Sequence, residues 1–172
     1  MSPLRTRLRA ETRAEHEALD RQYGALDLSD PADYALFLRA HHAAHSVVEP
    51  LIRPAPPRLA ALQRDLAAMG LAEGPAFVAD YVNNANLLGL SYVVAGSHLG
   101  GKVLKKAWSA TKNSQMRDAG GHFEVPGQKR YWQFVLRRLS NVQTGDEPGV
   151  IDGARAGFRC FADALAFIRA HP

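Results

Sequence analysis

The stretch "YVVAGSHLGGKVL", residues 92–104, constrains this chain more than any other. It has the apolar spacing of a helix, yet Gly96, Gly100 and Gly101 fall inside it. Each glycine within a helix costs roughly 1 kcal/mol relative to alanine. Either the helix ends here, or something approaches its backbone more closely than a side chain would allow. At 3.6 residues per turn, Gly96, Ser97, Gly100 and Gly101 share one face beside Val93 and Leu104, while Leu99 and Lys102 point elsewhere. The pattern is therefore a trough free of large side chains. Close helix packing, a cap at Gly100-Gly101, or a flat ligand resting on bare backbone each satisfies it.

The rest of the chain reads as helix. Ser2-Pro3 has the form of a cap followed by proline at the first helical position, and that helix runs to about Asp20. "SDPADY" at 29–34 repeats the signal for a second helix ending at Glu49, before Pro50. "RPAPP" at 53–57 is a stiff connector, and "LAALQRDLAAMG" is a third helix with Gly70 as its stop. One or two helices occupy 75–110. "DAGGHFEVPGQ" is a loop, "RYWQFVLRRLSNV" a helix, "TGDEPG" a turn, and "IDGARAGFRCFADALAFIRAH" a closing helix. With no alternating β pattern, repeat or linker, the 172 residues predict a single all-α domain.

Composition excludes some classes and leaves others open. The +4 net charge and seven histidines suit an acidic small molecule, an acidic partner or nucleic acid. The basic residues lack the aromatic interleaving of a nucleic-acid platform. The lone Cys160 has no disulfide partner, and the charged start is unlike a signal peptide. No run of about 18 apolar residues is evident. Together these predict a cytoplasmic protein without a membrane segment. Phosphate-loop, dinucleotide and nucleophile-elbow motifs are absent. On the first helix Leu8, Thr12, His16 and Leu19 share a face, with Arg9 and Arg13 beside His16. An imidazole between two guanidiniums suits a metal-bearing anion, and equally suits a solvated face. His41 and His45 stand at i, i+4 in "HHAAH" without the glutamate of a zinc protease helix.

In order along almost the whole chain, these segments resemble the heme oxygenases, particularly the bacterial biliverdin-producing branch associated with bacteriophytochromes. "LRAETRAEHEALD" is similar to that family's opening element, "LAALQRDLAAMG" to its next, and "GLSYVVAGSHLGGKVL" to its distal helix. "HFEVPGQKRYWQFVLRRL" and "GFRCFADALAFI" fit its last two helices. The resemblance implies heme held between an N-terminal proximal helix and a kinked, glycine-rich distal helix. It implies His16 as the iron ligand, with Arg9, Arg13, Tyr92 and Arg137 contacting the heme. Gly96, Ser97, Gly100, Gly101 and His45 would form the distal catalytic side, where backbone and ordered water face the iron-bound oxygen. The implied reaction turns heme into biliverdin, ferrous iron and carbon monoxide with O2. Its electrons come from an external ferredoxin or flavoprotein reductase, and a bacteriophytochrome is the expected acceptor of biliverdin. Three departures stand out: Ala95 replaces a usual glutamate, and His42 and His45 replace tyrosines. Ser97, by contrast, is common in bacterial members. The histidine-rich distal side leaves open a non-catalytic heme carrier or sensor, and the wider superfamily also includes binders of other small molecules.

Overall fold

The computed structural model describes residues 3–171, so the expected Ser2 cap lies outside the described residues. Eight α-helices follow one another, with short 3-10 turns between some of them and no strand among the described residues. They are α1 (Pro3–Glu11), α2 (Arg13–Gly24), α3 (Pro31–Ile52), α4 (Leu59–Ala68), α5 (Leu87–Trp108), α6 (Ser114–Asp118), α7 (Gln128–Ser140) and α8 (Glu147–Ala170).

Local chemistry accounts for most boundaries. Asp30 caps α3 by accepting the amides of Ala32 (2.9 Å) and Asp33 (3.1 Å), with Pro31 in the first turn. Asn86 caps α5 in the same way through Leu88 and Gly89. Gly70 stops the α4 segment at φ +67°, and the Leu71 amide reaches back to the Leu66 carbonyl.

Two expectations are corrected. The first helix divides at Thr12, whose backbone leaves helical angles (φ −109°, ψ 13°) while its buried hydroxyl joins its own amide in donating to the Leu8 carbonyl, at 2.7 Å. The second helix passes through Pro50 and ends at Ile52, because an exposed proline in the last turn costs little more than one backbone bond. Asn113 starts the short helix α6 at residues 114–118, accepting the Met116 amide at 3.2 Å.

α3, α5 and α8 form the centre, with Phe37, Leu38, Val48, Leu90, Val93, Ile151, Ala154 and Leu165 buried among them. Helix α5, alone among the described residues, is long and apolar enough by composition to cross a membrane, with a mean hydropathy of 1.2 over 18 residues, although Ser, His and Lys interrupt its apolar positions. Here its first half packs against α8 and α7.

α5 and α8 cross backbone to backbone. A Cβ built on Gly89 would lie 2.2 Å from the Val150 carbonyl oxygen, and one on Gly153 would lie 2.4 Å from that of Asn86. Neither neighbour is a side chain that can rotate away. Gly89→Ala is therefore expected to destabilise the protein by about 3 kcal/mol or more, read from denaturant midpoints. A loss below about 1 kcal/mol would mean that the two helices separate readily.

Candidate functional site

The glycine segment of α5 lies wholly inside one unbroken helix, which continues to Trp108. A cap at Gly100-Gly101 is thereby excluded. The three glycines then differ in their surroundings. A Cβ on Gly96 would sit 3.4 Å from the Trp132 ring, an ordinary contact. A Cβ on Gly100 or Gly101 would meet nothing within 4 Å beyond its own helix. Unlike Gly89 and Gly153, these two are not explained by packing within the protein.

Three helices meet beside Gly96. Tyr92, one turn earlier on α5, packs its ring against Trp132 of α7 with centroids 5.5 Å apart. Arg5 of α1 lies over the same indole at 5.6 Å. Burial raises the Tyr92 phenol above its ordinary value, and the nearby positive charges of Arg5 and Arg9 oppose that shift. Arg9 is exposed and forms no ion pair among the described residues. Arg13 instead turns to its own helix and bonds Glu17 at 2.6 Å.

His16 is 58% exposed on α2. Its Nδ1 lies 3.0 Å from the Asp20 carboxylate, and its ring meets the edge of Phe158 on α8 at 5.4 Å. With Nδ1 engaged, Nε2 is the nitrogen left for a ligand. Phe158 follows Gly157, against which Val93 of α5 packs, so one stretch of α8 touches both the His16 ring and the helix carrying the glycines.

Behind the glycine face runs a connected polar network. Ser97 donates to the Val94 carbonyl at 2.8 Å and accepts from Arg58 Nη1 at 2.6 Å. Arg58 also donates to Gln128, while its backbone amide donates to Glu49 Oε1 at 2.7 Å. Glu49 in turn bonds His45 Nδ1 at 2.8 Å. Burial lowers the Arg58 guanidinium to about 10, against the pull of Glu49. Burial pushes the Glu49 carboxyl up, but the His45 bond and the amides of Arg58 and Leu59 outweigh it and hold it below its ordinary value. Ala95 is buried beside Arg58 and lines a void of about 10 Å³, roughly the space of one water.

His45 and His122 are buried, and the partly buried His41 stands beside them in one imidazole cluster. The His45 ring centroid lies 6.1 Å from that of His41, and Phe37 touches both His41 and His122. His122 Nδ1 bonds Asp65 at 2.7 Å, and the Nε2 atoms of His45 and His122 have no partner among the described residues. No group of three or more His, Cys, Asp or Glu among the described residues is arranged to hold a metal ion. Burial lowers the pKa of all three imidazoles, most strongly that of His41. The unfolded chain binds these protons near the ordinary 6.5, whereas the folded chain binds them only at lower pH. The unfolded state thus takes up more protons in that window, and stability falls as pH drops below about 6.5. Each group contributes a slope of at most about 1.4 kcal/mol per pH unit. Thermal melts from pH 7.5 to 5.5 are expected to show a falling Tm, with a shallower fall in His41→Gln. A flat profile would contradict the neutral cluster.

Arg137 is not brought to this region. With Arg53, Arg130 and Arg138 it borders a separate cleft, on the face of α7 turned away from Trp132. His98 bonds the Ala95 carbonyl through Nδ1 at 2.6 Å, with its ring near Trp132. Sequence reasoning missed Arg58, Glu49, Trp132, Phe158 and Asp20. Only Glu49 and Asp20 carried a local signal, each lying four residues after a singled-out histidine.

This all-helical arrangement, with the glycine-bearing α5 packed between α8 and α7, has the heme oxygenase fold. The NO- and CO-bound heme oxygenase from Neisseria meningitidis superposes with a TM-score of 0.76 and 21% identity, over 98% of this chain and 93% of that one. No family model and no curated protein matches the sequence.

Proposed function

We propose that the protein, as one domain over residues 1–172, is a heme oxygenase that converts heme to biliverdin, ferrous iron and carbon monoxide. The observation that carries this reading is the open space over Gly100 and Gly101 on an unbroken helix: bare backbone is presented where the protein itself supplies no neighbour. Heme supplies the iron that activates dioxygen and the porphyrin carbon that is oxidised.

The chain's own residues bind, orient and hold protons. His16 would offer Nε2 to the iron, and the Asp20 carboxylate, 3.0 Å from Nδ1, orients the ring. Phe158 fixes the ring's plane through its edge contact. Arg9, Arg13 and Tyr92 supply charge and a hydroxyl for the propionates, Arg13 on exchanging its exposed bond to Glu17. Gly100 and Gly101 keep side chains away from the reacting face, and Gly96 gives room beside it to the Trp132 ring. Ser97 is oriented by Arg58, and the bonds through Glu49 fix His45, so the distal hydrogen-bonding groups are set before the substrate enters. Electrons come from an external ferredoxin or flavoprotein reductase in the cytoplasm, and a bacteriophytochrome is a suitable acceptor of the product.

Titration of the heme-free protein with hemin tests the reading. A Soret band saturating at one heme per chain, then lost on adding ascorbate in air as biliverdin appears, is the expected result. A stable Soret band under those conditions would assign the protein to heme carriage, and no band would remove heme altogether.

A further inference from the structure

Helix α7 has two working faces. One carries Trp132 against Gly96 and Tyr92. The opposite face borders an open cleft of about 600 Å³, closed by the end of α3 and the start of α5. Its lining contains four arginines (Arg53, Arg130, Arg137 and Arg138) and no Asp or Glu. None of the four forms an ion pair among the described residues, whereas Arg7, Arg13, Arg155 and Arg159 on α1, α2 and α8 each pair with neighbouring carboxylates. Like charges gathered in one concavity repel one another, and an anion entering between them relieves that repulsion.

Between the charges the surface is apolar. Phe134 is 46% exposed, and Leu87 across the cleft is 49% exposed. The spacing along α7 orders these features. Arg130 and Arg138 are eight residues apart, about 12 Å at 1.5 Å per residue, with Phe134 halfway. Positive charge stands at both ends and an aromatic ring in the middle. The volume falls in the range of small-molecule sites, roughly 300–1,000 Å³. A flat anionic bilayer would meet a protruding basic surface more readily than this concave one.

We propose that the cleft binds an elongated apolar dicarboxylate, with one carboxylate at Arg130, the other at Arg137 and Arg138, and the apolar body over Phe134. Arg53 closes the site from the α3 side. This inference is independent of the heme reading, since it uses the other face of α7.

The test is calorimetric titration of the full-length, heme-free protein with dodecanedioate, with dodecanoate as the one-carboxylate control. Phosphatidylglycerol vesicles are tested in parallel by co-sedimentation. The exposed double variant Arg130→Gln/Arg138→Gln is compared after circular dichroism has established an unchanged fold. Dodecanedioate is expected to bind one per chain, at least tenfold more tightly than dodecanoate, and to lose at least tenfold in the double variant. Phe134→Ser is expected to weaken both probes by the same factor. No binding, equal affinity for the two probes, or undiminished affinity in the double variant would overturn the proposal. Vesicle binding that the double variant abolishes, without dodecanedioate binding, would overturn it in favour of a membrane-facing patch.

Discussion

His16→Ala is expected to leave the heme-free fold intact while abolishing the native heme spectrum and lowering turnover by more than about 100-fold. The fold survives because the ring is 58% exposed and its partners are an edge contact and an exposed carboxylate. The size of the loss follows from the hierarchy of metal sites: residues that only orient a ligand are already worth about 10–100-fold, and the ligand itself is worth more. Asp20→Asn is expected to fall in that smaller range, because the amide can still hold the ring but no longer offers a negative charge. Added imidazole is expected to restore part of the spectrum in His16→Ala and none of the orientation. An unchanged spectrum in that variant would remove His16 from the iron.

Gly100→Ala is expected to separate stability from function. Its Cβ meets no atom within 4 Å, so the heme-free protein gains up to about 1 kcal/mol from helix propensity. Over a bound porphyrin the same methyl group stands between the backbone plane and the reacting face. Displacement of the reacting groups by about 1 Å can cost up to about 100-fold, and a fall in biliverdin formation of that order is expected. Gly101→Ala, further round the helix, is expected to be milder. Gly96→Ala must also accommodate Trp132 at 3.4 Å. A raised melting temperature with full biliverdin yield from Gly100→Ala would sink the reading of the glycines as a substrate face.

Much of the architecture was legible because its signals are local. Asp30-Pro31 and Gly70 act within a few residues of themselves, and the helices they bound fall where the sequence places them. Thr12 was not legible as a joint. Threonine is tolerated in helices, and only the buried environment decides whether its hydroxyl bonds back to Leu8. The wheel grouped Gly96, Gly100 and Gly101 correctly on one face, but it cannot say what stands opposite. Only the position of α7 separates Gly96, under Trp132, from the two open glycines. Arg58 escaped notice for a similar reason. It lies just past the proline-rich connector, 39 residues before Ser97, and no periodicity links the two. Arg137 was misplaced because α7 is polar on much of its circumference, and its sequence does not announce which side faces α1.

Helix α5 is anchored at both ends and open between them: Trp108, at its far end, packs against Tyr34 and Phe123 and donates to the Met116 carbonyl at 2.9 Å. Gly89, Leu90, Ser91, Val93, Val94 and Ala95 are buried, and no residue from Gly96 onward is. Leu99 and Val103, in that second half, are 51% and 72% exposed. Local opening of a helix follows its tertiary anchorage, so the amides of the first half exchange with solvent only on global unfolding, whereas those around Gly100 to Val103 exchange through local opening of the stretch between the two anchors. A ligand that covers the second half closes that gap in protection. Its binding free energy is then divided between contact and the ordering of that stretch, and the apparent affinity reports both.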